Sequence, residues 1–221
     1  MKLDCRGVLF DVDGVLVDST LAGERAWTQW ACEYGLDPTK VLKGVHGRRS
    51  WDTVRLHLPL VLHKPALLRI DRIEIDGAAM TSPIAGAAQL LAALPENWGV
   101  VTSASPGLLA ARLAAAGLPP PPVTITSEDV TCGKPDPEGY LRGAASLGLP
   151  IGECVIFEDS LTGIAAGLAA KPAQVVGVGL GAPAAVTVRD LRGIRWTGDG
   201  LHLPHPLRRS SAAPRAQRRS P

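Results

Sequence analysis

The chain has 221 residues, 46% of them hydrophobic and 20% charged, enough for one substantial core or for a core with a modest inserted unit. Aromatics make up only 4% while Ala and Leu do much of the apolar filling, which argues for helix-rich layers and against an all-β sandwich. Five of the 23 basic residues (Arg208, Arg209, Arg215, Arg218, Arg219) stand in the stretch from His205 onward; the other 18 face 21 acids, so the body sits near −3 and gives no reason to expect a groove for nucleic acid.

In chain order, Arg6 to Phe10 is a short apolar run that stops at Asp11-Val12-Asp13-Gly14, the pattern of a buried strand ending in a turn. From Ser19 to about Met80 the periodicity is helical. Trp27, Trp30 and Tyr34 share one helix face, a stripe suited to packing, and breakers from Gly35 to Pro65 divide the stretch into short helices. After Pro83 helices and strands alternate. Helices are expected over 84–94, 106–116, 137–147 and 161–170, and strands over 98–101, 123–126, 154–157 and 174–178. Such alternation implies βαβ units and a parallel sheet. The first strand belongs to that sheet, so 19–80 is an insertion. The expected organisation is an α/β core with a Rossmann-like parallel sheet and helices on both faces (1–18 and 81–203), an inserted helical unit (19–80), and a disordered basic tail (204–221) with no apolar period.

Cys5, Cys32, Cys132 and Cys154 lie far apart with no CxxC pair, which reads as reduced thiols of a cytosolic protein. Asp4 and Arg6 leave no room for the apolar region of a signal peptide, and no apolar run approaches the length of a membrane span. A cytoplasmic protein without a membrane partner is expected.

Ligands of a parallel sheet bind outside the carboxyl ends of its strands. Asp11 and Asp13 stand at the first such end, Thr102 and Ser103 at the next, Lys134 beyond a third, and Glu158 with Asp159 at a fourth. An Asp after a strand is ordinarily a turn former or cap, but acids, hydroxyls and a lysine at successive strand ends form a set. That set suits phosphoryl transfer. Clustered carboxylates need a shared cation, and hard oxygen donors select Mg²⁺. Lys134 and the metal neutralise phosphoryl oxygens, and Thr102 or Ser103 adds a hydrogen bond. A carboxylate can attack phosphorus to give an acyl phosphate, and Asp13 can serve the leaving alcohol and then water as acid and base.

DVDGVLVDS (Asp11 to Ser19), VVTSAS (Val100 to Ser105), GKPDP (Gly133 to Pro137) and FEDS (Phe157 to Ser160) resemble, in order, the four motifs of the haloacid dehalogenase superfamily. The resemblance implies a phosphatase with Asp11 as nucleophile, Asp13 as acid/base, and Thr102 (or Ser103) and Lys134 on the phosphate. It also implies Mg²⁺ among Asp11, the Asp13 carbonyl and Asp159, with Glu158 assisting. The inserted unit then resembles the family's mobile cap. Its segment VHGRRSWDTV (Val45 to Val54) is similar to the cap of the sugar-phosphate and glycerol-phosphate phosphatases, which are related to β-phosphoglucomutase. That similarity points to His46, Arg48 and Arg49 as substrate contacts, although adjacent arginines on a Gly-bounded turn are also what a solvated surface looks like.

The expected activity is hydrolysis of a small phosphate ester, a sugar or polyol phosphate, by a monomer or weak dimer. A phosphomutase of the same superfamily would share Asp11 and Asp13, but Gly23 stands where a mutase-type His is expected. A dehalogenase would not need Asp13 or the FEDS carboxylates. A non-catalytic phosphate-binding module would have lost part of the catalytic set, and none is missing.

Overall fold

The computed structural model describes residues 1–45 and 47–208. The chain opens with β1 (Lys2–Asp4), β2 (Gly7–Phe10) and β3 (Val17–Asp18). A helical block follows: α1 (Thr20–Glu33), α2 (Pro38–Leu42), α3 (Ser50–His57) and α4 (His63–Asp76). The chain re-enters the core through β4 (Ser82–Pro83), α5 (Ala87–Ala93), β5 (Trp98–Val101), α6 (Pro106–Ala115), β6 (Val123–Ile125) and α7 (Glu138–Ser146). It continues through β7 (Cys154–Glu158), α8 (Leu161–Ala170), β8 (Gln174–Val178), β9 (Val186–Val188), β10 (Arg195–Trp196), β11 (Gly200–His202) and β12 (Leu207–Arg208).

Among the described residues the main sheet has seven strands in the order β12-β9-β8-β7-β2-β5-β6, all parallel except β12. β2 is central, flanked by β5 and β7, so its carboxyl end is where the segments after those strands converge. Strand side chains alternate between two cores, as a sheet covered on both faces requires. Val8, Phe10, Val100, Val155 and Phe157 lie in one, Leu9, Val101 and Ile156 in the other. Phe10 stacks on Phe157 at 5.1 Å between ring centres. α6 starts on a Ser105 cap with Pro106 at its first position, and α8 on a Ser160 cap that accepts from Gly163 N.

The helical block has a core of its own. Trp27, Trp30, Val41, Val54, Ala66 and Ile70 cluster, and Trp30, fully buried, donates Nε1 to Ala66 O at 3.0 Å. β3 and β4 pair antiparallel at its root, Asp18 against Ser82. Two features depart from expectation. Leu207–Arg208 pairs antiparallel with Val186–Thr187, so the chain remains part of the sheet beyond 203; the remainder of the tail, 209–221, lies outside the described residues. β1, β10 and β11 also form a small antiparallel sheet, with Lys2 opposite His202. Among the described residues no helix is long and apolar enough to cross a membrane.

Candidate active site

Asp11 follows the last residue of β2 and is 4% exposed; its N–H donates to Phe157 O at 2.9 Å, which fixes it against the end of β7. Lys134 Nζ donates to Asp11 Oδ1 at 2.8 Å and to Glu158 Oε1 at 2.5 Å. Glu158 is fully buried and accepts three further groups besides Lys134 and Tyr140 Oη: Asp159 N, Ser160 N and Ser160 Oγ, all on Oε2. With both oxygens so occupied, Glu158 chiefly holds Lys134 and the FEDS loop in place.

Ligand oxygens of Asp11, Glu158 and Asp159 lie within 4.8 Å of one another, a hard-oxygen trio that fits Mg²⁺. The electrostatics agree with a cation there. Burial pushes the Asp11 carboxyl well above its ordinary range; Lys134 opposes this, while Glu158, Asp159 and Asp13 add to it. Burial and Glu158 push Asp159 up to about 7. Burial by itself would lower Lys134, but Asp11 and Glu158 hold it above the ordinary lysine value, so it stays charged. Gly14, at φ 79°, lets the turn pass against Asp159: a Cβ there would collide with the Asp159 carboxylate.

The side chain of Asp13 is not in the trio. Its Oδ1 accepts from Ser19 Oγ at 2.6 Å and its Oδ2 from Arg112 Nη1 at 2.7 Å. Thr102 is buried and its Oγ1 accepts from Ala104 N at 3.1 Å, while Ser103 Oγ donates to Gly47 O at 3.0 Å, tying the core to the helical block. Ser103 lines the cavity above Asp11; Thr102 lines an adjoining cleft with Lys134 and Tyr140.

The two cap arginines part company. Arg48 lines the Asp11 cavity with Ser50, Trp27 and Gly47. Arg49 turns away: it pairs with Asp52 at 2.8 Å and donates Nη1 to Val130 O and Thr131 O at 3.2 and 3.1 Å, bridging the block to the loop before Lys134. His46 lies outside the described residues.

Two cavity residues were not singled out from sequence. Arg112 on α6 and Glu74 on α4 pair at 3.0 Å with both side chains 7% exposed, and burial, supported by Asp13 and opposed by Arg112, pushes Glu74 up to about 7. A signal was present: Arg112 follows Leu108 and Leu109 by four and three residues, and Glu74 follows Ile70 by four. Each charge thus sits on an apolar helix stripe, where a solvated residue does not belong.

The comparisons with known proteins agree with this geometry. Residues 5–171 match the model of a hydrolase family, the haloacid dehalogenase-like hydrolases. The chain is 42% identical over 172 residues to hexitol phosphatase A of Escherichia coli (strain K12), covering 75% of this chain and 80% of that protein. It is 36% identical over 184 residues to 2-deoxyglucose-6-phosphate phosphatase 1 of Saccharomyces cerevisiae, covering 73% and 75%. Its fold superposes on a hydrolase from Pseudomonas syringae with a TM-score of 0.74 at 22% identity, over 84% of this chain and 94% of that one. Strand order, strand-end motifs and sequence kinship converge on one assignment: the chain is an enzyme of the haloacid dehalogenase-like hydrolase family.

Proposed function

We propose that the enzyme removes phosphate from a small phosphorylated sugar or polyol through a phospho-aspartate on Asp11, with Mg²⁺ as cofactor. The observation that carries this reading is the placement of Asp11. It is buried at the end of the central strand, bonded to Lys134, and faces Asp159 beneath the helical block. Relatives named for a hexitol and for 2-deoxyglucose 6-phosphate support the sugar or polyol class.

Asp11 Oδ attacks phosphorus; as that bond forms, the bond from phosphorus to the leaving oxygen breaks and Asp13 gives its proton to that oxygen. Lys134 donates to the phosphoryl oxygens, and Thr102 and Ser103 line the same cleft as Lys134. In the second half Asp13, now ionised, takes a proton from water as the water oxygen attacks the acyl phosphate. The bond from Asp11 to phosphorus then breaks, releasing orthophosphate and restoring both carboxyls. Asp11 and Asp159, with the Asp13 main-chain carbonyl, would hold Mg²⁺, which would supply positive charge against the phosphoryl group. The helical block is the cap: Arg48 and Ser50 face the substrate's hydroxyl end, and closure over Asp11 excludes water. Gly23 lines the cavity with open space where a Cβ would stand, so no side chain there serves a mutase's extra acid–base step.

The test is phosphate release from a panel of phosphorylated sugars and polyols with Mg²⁺, repeated in excess chelator and with Asp11→Asn. Turnover of at least one alkyl phosphate is expected, abolished by chelation and by the near-isosteric Asp11→Asn with folding intact. More than trace activity in Asp11→Asn would sink the covalent route.

A further inference from the structure

Tyr140 on α7 has no part in the reaction steps above, yet it meets the site in two ways. Its hydroxyl Oη donates to Glu158 Oε1 at 2.8 Å, and the Lys134 ammonium stands over its ring, 5.5 Å from the ring centre. Tyr140 also lines the cleft that holds Lys134, Thr102 and Ser103. The rest of the side chain is fully buried in the apolar layer with Leu9, Val101 and Ile156.

Such a position suits Phe as well as Tyr, and a buried hydroxyl demands a partner. Glu158, the partner it has, does not require it. Lys134 Nζ on Oε1, with Asp159 N, Ser160 N and Ser160 Oγ on Oε2, already fills the roughly four sites that a carboxylate offers. Satisfying Glu158 therefore leaves the hydroxyl unexplained. Its placement beside Lys134 explains it. A lysine ammonium is a compact charge on a flexible stem, with no rigid fork to aim its donors. Where Nζ rests between Asp11 Oδ1, at 2.8 Å, and Glu158 Oε1, at 2.5 Å, depends on how strongly each oxygen attracts it. Glu158 Oε1 is the nearer acceptor, and it is the oxygen that Tyr140 Oη shares. The ring adds a second electrostatic hold on the same ammonium.

We propose that Tyr140 is a positioning residue for Lys134: its hydroxyl moderates the pull of Glu158 and its ring steadies the ammonium, so that Lys134 stays within reach of the phosphoryl group at Asp11. This rests on the reading of Lys134 as donor to the phosphoryl oxygens. Without the hydroxyl, Glu158 Oε1 draws Nζ toward itself, and the phosphoryl group loses part of its compensating charge. The leaving group is not involved, because Lys134 serves the half of the substrate that all the esters share.

The experiment uses the full chain with Mg²⁺ and two esters: the alkyl phosphate turned over best in the panel, and p-nitrophenyl phosphate, whose leaving group departs without a proton. The deciding variant is Tyr140→Phe, which removes one buried oxygen and keeps the ring. Its kcat/KM is expected to fall by about five- to twentyfold on both esters alike, and the inhibition constant of inorganic phosphate to rise by a similar factor. Tyr140→Leu, which loses the ring as well, is expected to fall about threefold further. A second measurement follows Lys134 without turnover. Its ammonium signal in a proton–nitrogen correlation spectrum at low temperature, identified by its loss in Lys134→Arg, is expected to shift and to exchange faster with solvent in Tyr140→Phe. A lower Tm with both rates, phosphate inhibition and the ammonium signal unchanged would overturn the proposal by leaving Tyr140 a packing role. Loss on the alkyl ester alone would overturn it by placing the effect at the leaving group. Equal rate losses with an unmoved ammonium signal would overturn it by routing the effect around Lys134. No turnover of any ester by the wild type would instead sink the phosphatase reading, and the proposal with it.

Discussion

Arg48 and Arg49 are neighbours in sequence, yet their side chains serve different parts of the molecule. Arg48 lines the cavity, so Arg48→Ala is expected to lower kcat/KM for a sugar or polyol phosphate by about ten- to a hundredfold while barely changing aryl phosphate turnover. Arg49 spends its donors on Asp52 and on the carbonyls of Val130 and Thr131, so Arg49→Ala should lower Tm and weaken turnover of both esters together. A kinetic comparison of the two variants, with Tm alongside, checks the split. Sequence proximity treated the arginines alike because a turn residue's direction depends on backbone geometry that residue type does not encode. The strand-end residues were legible for the opposite reason: a parallel sheet brings its carboxyl ends together whatever the loops do. Glu74 carries a pH signature. Its folded pKa of about 7 lies above the ordinary 4.5, so between those values the folded state binds more protons than the unfolded state and stability falls as pH rises. Relative to Glu74→Gln, the wild type should lose up to about 3 kcal/mol from pH 4.5 to 8. Asp159 adds slope in the same direction but to both proteins, so the difference isolates Glu74. Denaturant midpoints across that range give the measurement, and a flat difference would contradict it.

At the scale of elements, most helices and strands of the core were legible from periodicity. Strand 98–101 and helix 161–170 stand where the pattern put them, and helix 84–94 proved shorter, beginning at Ala87 behind Gly86 in the left-handed region at φ 91°. The aromatic stripe along α1 and its cap packs together, with Trp30 against Trp27 and Tyr34 at 5.2 and 5.0 Å between ring centres, but Trp27 also lines the Asp11 cavity. Because the block's apolar cluster is separate from the two beside the sheet, the block is expected to loosen independently. Trp30→Ala removes a fully buried ring and an indole hydrogen bond, a change that typically costs about 3–5 kcal/mol. Hydrogen exchange should then show lost protection in α1 and α4, with β2, β5 and β7 still protected. Equal loss in the sheet would mean that block and core unfold as one unit.

For the whole molecule, the least legible parts were the short strands that join distant ends. β1, β10, β11 and β12 have two or three residues each, too few for any period to register; β1 forms by pairing with β11 across nearly the full chain, while β10 and β12 pair with strands close by in sequence. β12 covers the outer edge of β9, and Thr187 Oγ donates to Leu207 O at 3.3 Å. Truncation after Pro204 should therefore lower Tm relative to truncation after Arg208. Loss of a small ladder worth about 1–2 kcal/mol corresponds to roughly 2–8 °C for a chain of this size. Identical melting curves for the two truncations would leave β12 without energetic weight.

The central position of β2 has a consequence for how the enzyme comes into being. Asp11 precedes its lysine partner by 123 positions, and β7 completes the pairing only after that. Loop-closure entropy disfavours such distant contacts until their rewards arrive together, so the Asp11–Lys134 contact waits on the later strands. Until β7 forms, β2 has one flank unpaired and its apolar GVLF run exposed, the interval in which a nascent chain is open to aggregation or to a chaperone. The Asp11 site and the second flank of β2 are both completed by segments that follow the helical block.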